Sequence, residues 1–244
     1  MNLLAFETST EACSVALWLD GEVRERYELA PRRHAELSLP WAEQLLDEAG
    51  LKRSQLDAIA IGRGPGAFTG VRLAISLAQG VALALDVPVI PISTLAVLAL
   101  RAQPLITGTG PRRVLSAIDA RMGEIYTAAY ELRDGEPFAL DREAVLAPDA
   151  AALPDLGDNA ADNAWLGVGT GFAAADGALR QRLSARFAAI DPDALPHAAD
   201  LARLAAAAYA RGESVAPERI EPAYLRNNVA LTIAEQVALR AKSR

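Results

Sequence analysis

The sequence predicts an α/β protein made of two similar lobes, and three observations support this fold class. Short apolar runs rich in β-branched residues alternate with longer segments whose apolar residues recur at helical spacing. A pattern of strand, acidic residue, turn, strand and Asp-Gly hairpin begins at residue 3 and again at residue 114. The 244 residues are enough for two lobes with hydrophobic cores of their own. We expect the first lobe at residues 1–104 and the second at residues 105–244.

The first lobe is predicted to combine five strands with three helices. The strands are expected at residues 3–6, 13–19, 23–27, 56–61 and 87–90, and the helices at residues 34–49, 70–85 and 94–102. Asp20-Gly21 favours a hairpin between the second and third strands, and Gly50 is placed to end the first helix.

The second lobe is predicted to repeat the opening of the first. Strands are expected at residues 114–118, 124–132 and 165–168, a loop at 148–163, and helices at 199–210 and 231–241. The last of these helices could pack back on the first lobe. When the two openings are superimposed, Glu7 falls on Asp119 and Trp18 falls on Tyr130. This agreement favours an internal duplication.

Composition and charge exclude several classes of function. With 24 basic and 31 acidic residues and a net charge of −7, the chain is a poor candidate for binding nucleic acid alone. The single cysteine, Cys13, rules out an internal disulfide and a cysteine-based zinc site. The two histidines, His34 and His197, lack the spacing of a metal-binding pair and have no nucleophilic partner nearby in sequence. We therefore expect neither a catalytic group nor a metal site.

The N-terminus shows no targeting signal, because the chain runs directly into an apolar strand. No uninterrupted apolar segment is long enough to span a bilayer. We expect a cytoplasmic protein without membrane contact.

A glycine-rich loop, residues 62–70, joins a predicted buried strand to a predicted helix. It is not a P-loop, because no Lys-Ser or Lys-Thr pair follows its last glycine, Gly70. Glycine amides at a helix N-terminus could hold an anion with the help of Arg72. The alternative is that the glycines only let the strand turn tightly into the helix, and we favour this second interpretation.

The helix predicted at residues 70–85 has more apolar surface than one sheet can cover. One apolar stripe comprises Val71, Ala74, Ile75, Ala78, Ala82 and Leu85, and a second comprises Leu73, Leu77, Val81 and Ala84. Since a helix on a sheet buries one face, the second stripe needs another cover. We predict an interface with a partner protein, shared with the helix at residues 34–49 through Leu37, Trp41 and Leu45.

Glu7 and Asp119 raise the alternative of a metal or phosphate site between the lobes. Each acid follows an apolar strand, as in two-lobed nucleotide-binding proteins. However, the turn after Glu7 contains no glycine with which to wrap a phosphate. Acids at strand ends are also ordinary turn residues, so we favour a structural role for both.

Several motifs together resemble those of the TsaB (YeaZ) family. The resemblance extends from Asn2 to about Val229, and its most specific stretches are Gly64-Pro65-Gly66-Ala67-Phe68-Thr69-Gly70-Val71-Arg72 and Asp119-Ala120-Arg121-Met122-Gly123-Glu124-Ile125-Tyr126. Glu7-Thr8-Ser9, His34-Ala35-Glu36-Leu37 and Tyr224-Leu225-Arg226 agree as well. The resemblance implies the two-lobed ASKHA fold of actin, DnaK-type chaperones and sugar kinases. This is an RNase H-like architecture with duplicated mixed β-sheets flanked by helices.

The resemblance also implies a function and a set of partners. It implies a noncatalytic scaffold subunit of the complex that forms N6-threonylcarbamoyladenosine at position 37 of tRNAs reading ANN codons. The expected partners are a TsaD-type paralogue, bound as a heterodimer through the first-lobe helices and activated by that contact, and a TsaE-type ATPase. A homodimer is expected when the protein is alone, and tRNA is expected to be reached only through the complex.

The same resemblance leaves nucleotide binding open. No cofactor of its own is expected, apart from weak ADP or ATP binding. The motif residues that would contact a nucleotide or anion are Glu7, Thr8, Ser9, Gly64, Gly66, Thr69, Gly70, Arg72, Asp119, Arg121 and Glu124. Glu7 departs from the aspartate of active ASKHA proteins, and the tail from Leu231 extends past the family core. The alternative function is an ASKHA-type ATPase or a glycoprotease-like peptidase acting alone.

Overall fold

A computed structural model describes residues 1–107, 112–157 and 164–226, and it contains two mixed β-sheets. The first sheet has the order β3-β2-β1-β4-β5. Its strands are β1 (Asn2–Glu7), β2 (Ala12–Leu19), β3 (Glu22–Leu29), β4 (Ala58–Gly62) and β5 (Val89–Ile92). The first three strands form an antiparallel meander, whereas β4 and β5 continue the sheet in parallel with β1.

The second sheet has the same strand order as the first. Its order is β11-β10-β6-β7-β8, with a short extra strand, β9, paired to β7. The strands are β6 (Arg113–Arg121), β7 (Glu124–Arg133), β8 (Glu136–Ala139), β9 (Ala144–Leu146), β10 (Trp165–Val168) and β11 (Phe187–Asp191). The repeat that the sequence predicts is thus present in the fold, as two meanders each followed by two parallel strands.

In the described part of the chain, five α-helices complete the layers. They are α1 (His34–Ala49), α2 (Phe68–Leu85), α3 (Thr94–Ala99), α4 (Ala174–Leu183) and α5 (Ala198–Ala210). Helices α1 and α2 cover the outer face of the first sheet through an apolar core. Helix α3 packs on β6 and β7 of the second sheet, and α5 packs on β1 and β2 of the first. Each lobe therefore sends its final described helix to the other sheet, which ties the lobes together.

The structure differs from the predicted elements mainly in the second lobe. The elements β9, α4 and β11 were not predicted. In α4 the helical pattern is interrupted, because Ala175 and Asp176 take left-handed backbone conformations with φ of 48° and 56°. The predicted helix at 94–102 ends at Ala99 and continues as a 3₁₀ turn. The predicted helix at 231–241 lies outside the described residues, and the boundary between residues 104 and 105 stays a prediction.

Helix α2 also bears on the expectation about membranes. By length and composition it could cross a membrane, with a mean hydropathy of 1.5, and among the described residues it is the one helix that could. A third of it is buried, against the first sheet. Core helices of α/β folds have the same composition, so the expected lack of membrane contact stays a prediction.

Candidate functional site

A cleft between the lobes brings together the motif segments that are far apart in the sequence. It encloses about 930 Å³. Its walls include the turn at residues 8–11 after β1, residues 31–35 at the start of α1, residues 66–73 at the start of α2, residues 118–121 at the end of β6, and residues 222–226. The carboxyl ends of parallel strands open on this side, which is where open α/β sheets place their ligand sites.

The glycine-rich loop is held against the turn that follows β1. The backbone N–H of Ala67 donates to the Ser9 carbonyl at 2.7 Å, and the Thr8 hydroxyl donates to the Gly70 carbonyl at 2.8 Å. A Cβ on Gly66 would lie 2.3 Å from the Ser9 carbonyl oxygen, and one on Gly70 would lie 1.9 Å from that of Thr8. The close neighbour that requires these glycines is therefore the protein's own backbone.

Glu7 lies behind the cleft wall and does not line the cleft. Its side chain is 1% exposed, and its Oε1 accepts the backbone N–H of Ser9 at 2.8 Å. Its Oε2 accepts the Thr94 hydroxyl at 3.3 Å. Burial raises the pKa of this carboxyl above its usual range, against the lowering effect of these hydrogen bonds. The cleft wall therefore includes Asp119 but not Glu7.

Asp119 lies in the cleft wall, where its side chain closes a turn. Its Oδ1 accepts the backbone N–H of Arg121 and its Oδ2 accepts the Arg121 guanidinium, both at 2.7 Å. Its own N–H donates to the Thr170 hydroxyl at 3.1 Å. Both carboxylate oxygens are thus engaged within the second lobe. Glu124, the first residue of β7 after the turn, accepts from Arg226.

Arg72 and Thr69 mark the first-lobe wall of the cleft. The Arg72 guanidinium lies 3.3 Å from the centre of the Phe68 ring and 5.0 Å from that of Tyr224, and it donates to the Tyr224 hydroxyl. Arg72 therefore stacks between two aromatic rings. Thr69 is exposed in the first turn of α2. Gly64, with φ of 90°, donates its N–H to the Thr94 hydroxyl at 3.2 Å.

The two histidines have structural contacts. His34 Nε2 lies 3.0 Å from the Thr10 carbonyl oxygen and 3.2 Å from that of Ala12. His197 stacks on Tyr27 with ring centres 4.1 Å apart. Within residues 1–107, 112–157 and 164–226, no group of three or more His, Cys, Asp or Glu side chains could hold a metal ion.

The predicted partner surface is only partly exposed. Leu73, Leu77 and Val81 of α2 are half-buried and Ala84 is exposed, while Leu37 and Trp41 of α1 are half-buried. Leu45 is fully buried in the core between α1 and the first sheet, so it is not available to a partner. Leu83 of α2, which is not among the predicted interface residues, is 62% exposed. The sequence feature that could have identified Leu83 is an apolar residue on the more polar side of the helix.

Two lobes with the same strand order around a central cleft define an ASKHA-type fold. A structure of YeaZ from Pseudomonas aeruginosa is 47% identical to the chain, with a TM-score of 0.79, and the match covers 92% of this chain and 99% of that one. The family model described as TsaD, tRNA N6-adenosine threonylcarbamoyltransferase, matches residues 27–234.

Two relatives of known name show the family to which the chain belongs. The tRNA threonylcarbamoyladenosine biosynthesis protein TsaB of Escherichia coli is 43% identical over 94% of this chain and 96% of its own. The protein of the same name from Haemophilus influenzae is 40% identical over 94% of this chain and 95% of its own. The chain belongs to the TsaB (YeaZ) family.

Proposed function

We propose that the protein is a noncatalytic subunit of the machinery that forms N6-threonylcarbamoyladenosine in tRNA, where it binds and activates a TsaD-type transferase. The two relatives named tRNA threonylcarbamoyladenosine biosynthesis protein TsaB match along nearly the whole chain, and this observation carries the proposal. A TsaE-type ATPase is the further partner. Because a protein with a net charge of −7 is a poor binder of nucleic acid, tRNA is bound through the other subunits of the complex. The complex acts in the cytoplasm.

The exposed face of α2 is the surface that we assign to the transferase. At 100° per residue, Ser76, Gly80, Leu83 and Ala84 lie on one side of the helix, and all four are exposed. The half-buried Leu73 and Leu77 flank them. This face carries no charged side chain, and a Cβ on Gly80 would meet no atom within 4 Å, so a partner helix can approach closely. A second copy of the chain would use the same face when the transferase is absent.

Leu83→Glu is expected to weaken binding to the TsaD-type partner by about a hundredfold or more. A carboxylate buried in an apolar interface must be desolvated, whereas in the free protein it stays in water. The matched control is Leu29→Glu on β3, because Leu29 is 60% exposed, close to the value for Leu83, and lies away from α2. Calorimetric titration of the purified partner into each variant measures the effect.

The same pair of variants tests the function in cells. Depletion of the protein is expected to remove threonylcarbamoyladenosine from bulk tRNA, as measured by nucleoside mass spectrometry. Leu29→Glu is expected to restore the modified nucleoside and Leu83→Glu is not. Undiminished modification after depletion would contradict the proposed function, and equal binding by both variants would contradict the assigned surface.

Nucleotide binding without turnover is a second candidate function, favoured by the volume of the cleft. About 930 Å³ accommodates a nucleotide, and the first turn of α2 at the wall offers backbone N–H groups to a phosphate. Thr69→Glu is expected to abolish ADP binding in calorimetry, because it places a negative charge at that helix end. Thr69→Gln, similar in size but neutral, is the control. Phosphate release or peptide cleavage by the purified protein would instead support the ATPase or peptidase alternative.

A further inference from the structure

The last described segment of the chain lies along α2 before it reaches the cleft. We call residues 215–226 the strap. Val215 exchanges two backbone hydrogen bonds with Val89 at 2.8 and 2.9 Å, and the Gln79 side chain donates to the Pro217 carbonyl at 3.1 Å. Ile220 is buried in the core formed by α2 and the first sheet. The strap thus follows α2 from its C-terminal half towards its N-terminus.

The strap then crosses from the first lobe to the second. The backbone N–H of Ala223 donates to the Arg63 carbonyl at 2.9 Å, and Tyr224 meets Arg72 of α2. Two residues later, the Arg226 guanidinium donates to the Ala120 carbonyl at 3.1 Å and to the Glu124 carboxylate. One short segment therefore connects the first turn of α2 to the turn that forms the second-lobe wall of the cleft.

Among the described residues, the hydrogen bonds that hold the end of the strap to the second lobe come from one side chain, that of Arg226. Arg226 Nε is buried without a hydrogen-bond partner among the described residues, and such an unmet donor costs about 1–3 kcal/mol. Tyr224 is exposed, and its ring is held from one side by Arg72. Because one side chain supplies the hydrogen bonds to the second lobe, the loss of Arg226 alone is expected to release this end of the strap.

The residues that hold the strap are next to the exposed face of α2. Arg72 precedes Ser76 by four positions and Gln79 precedes Leu83 by four, so each pair lies on adjacent turns of one helix side. A molecule docked on Ser76 and Leu83 therefore lies beside the two side chains that bind the strap.

We propose that the strap couples the exposed face of α2 to the second-lobe wall of the cleft, so that docking on α2 alters the cleft. This inference rests on the proposed function for the identity of the docked partner, a TsaD-type protein. The connection consists of direct contacts. Arg72 and Gln79, beside the exposed face of α2, bind the strap, and Arg226 of the strap binds the turn at residues 119–124.

Hydrogen exchange of the full-length protein tests the coupling with Arg226→Gln, which removes the charged contact in the second lobe. In the free variant we expect backbone amides at residues 66–73, in the other lobe, to exchange about tenfold faster than in the wild type. With the TsaD-type partner, the wild type is expected to change its exchange at residues 118–126. In complex with the partner, Arg226→Gln should still show slower exchange of the α2 amides, because the partner still docks there, but its exchange at residues 118–126 should not change.

Two further variants keep the outcome decisive. Arg211→Gln removes other Arg–Glu contacts, with Glu136 at 2.9 Å and Glu213 at 2.7 Å, which involve no residue of the strap or of the cleft, and is expected to behave as the wild type at both segments. Tyr224→Phe removes the hydroxyl that Arg72 binds and should also uncouple the segments, with little risk to folding. Unchanged exchange at residues 66–73 in Arg226→Gln and Tyr224→Phe would overturn the proposal. Absence of any complex in the wild type would contradict the proposed function, while the free-protein comparison would still test the strap.

Discussion

Gly70→Ala is expected to lower the free energy of unfolding by about 3 kcal/mol. The new methyl group would lie 1.9 Å from the Thr8 carbonyl oxygen, which belongs to backbone and cannot rotate away. Relieving that clash separates the glycine-rich loop from the turn after β1 and lengthens the hydrogen bonds that join them, including the one from Thr8 to Gly70 at 2.8 Å. Urea unfolding followed by circular dichroism measures the loss.

The control for this prediction is the same substitution in the same helix. Gly80 lies in the middle of α2, and a Cβ there would meet no atom within 4 Å. Alanine is preferred to glycine inside a helix by about 1 kcal/mol, so Gly80→Ala is expected to raise the free energy of unfolding by about that amount. If both substitutions changed stability in the same direction, close approach to Thr8 would not be the reason for glycine at position 70.

The glycine-rich loop shows what the sequence could and could not predict about the site. Its composition predicts a tight turn, and the structure has one, from β4 into α2. The sequence does not reveal that the turn after β1, about 60 residues earlier, fills the space that the missing Cβ atoms leave. Composition alone does not distinguish an approaching ligand from an approaching backbone, because both require glycine.

Helix α5 shows the same limit at the level of the fold. Periodicity predicts the helix at residues 199–210, one residue short of its start at Ala198. The groups that cap it come from the first lobe: the Ser14 hydroxyl accepts the N–H of Ala198 at 2.9 Å, and Glu25 accepts that of Ala199 at 3.0 Å. Burial alone would raise the pKa of Glu25, but hydrogen bonds from His197, Ser14 and this amide lower it. No local pattern predicts a cap that is supplied from more than 170 residues away.

The interface prediction depends on which side of a helix faces the sheet. Periodicity identifies two apolar stripes on α2, and the structure buries Ala74 and Ala78 of the first. On α1 the same reasoning selected Leu45, which turns out to be core. The angle at which a helix settles on its sheet is set by the packing of both, so a three-residue pattern such as Leu37, Trp41 and Leu45 is not enough to fix it.

Glu7→Gln is expected to leave the fold intact and to flatten the dependence of stability on pH. Because burial raises the pKa of Glu7 in the folded protein, folding favours the protonated acid. The contribution of Glu7 to stability is therefore fully present below its unfolded pKa and is lost as the pH rises through the folded pKa. Glutamine is uncharged at every pH, so the stability of the variant relative to the wild type should increase as the pH rises above 4.5, the ordinary pKa of a glutamate side chain.

The hydrogen bonds around Glu7 can be kept by the amide. The glutamine oxygen can accept the Ser9 N–H, its Nε2 can donate to the Thr94 oxygen, and the Thr94 hydroxyl can donate to Ser9 Oγ, which lies 3.0 Å away. Glu7→Ala is the contrasting variant, because it leaves these donors unmet beside a cavity and should be about 2–4 kcal/mol less stable than Glu7→Gln at every pH. Urea unfolding across the pH range measures both variants.

Glu7→Gln also separates the proposed function from the hydrolase alternative. A carboxylate that binds a metal or takes part in catalysis loses that role when it is replaced by an amide. A buried acid with a structural role can be replaced by an amide without loss of function, because the amide keeps its hydrogen bonds. Cells that carry only the Glu7→Gln protein are expected to keep threonylcarbamoyladenosine in their tRNA. Loss of the modified nucleoside with normal stability and normal partner binding would mean that Glu7 acts as a charged group in chemistry, and the noncatalytic assignment would then be wrong.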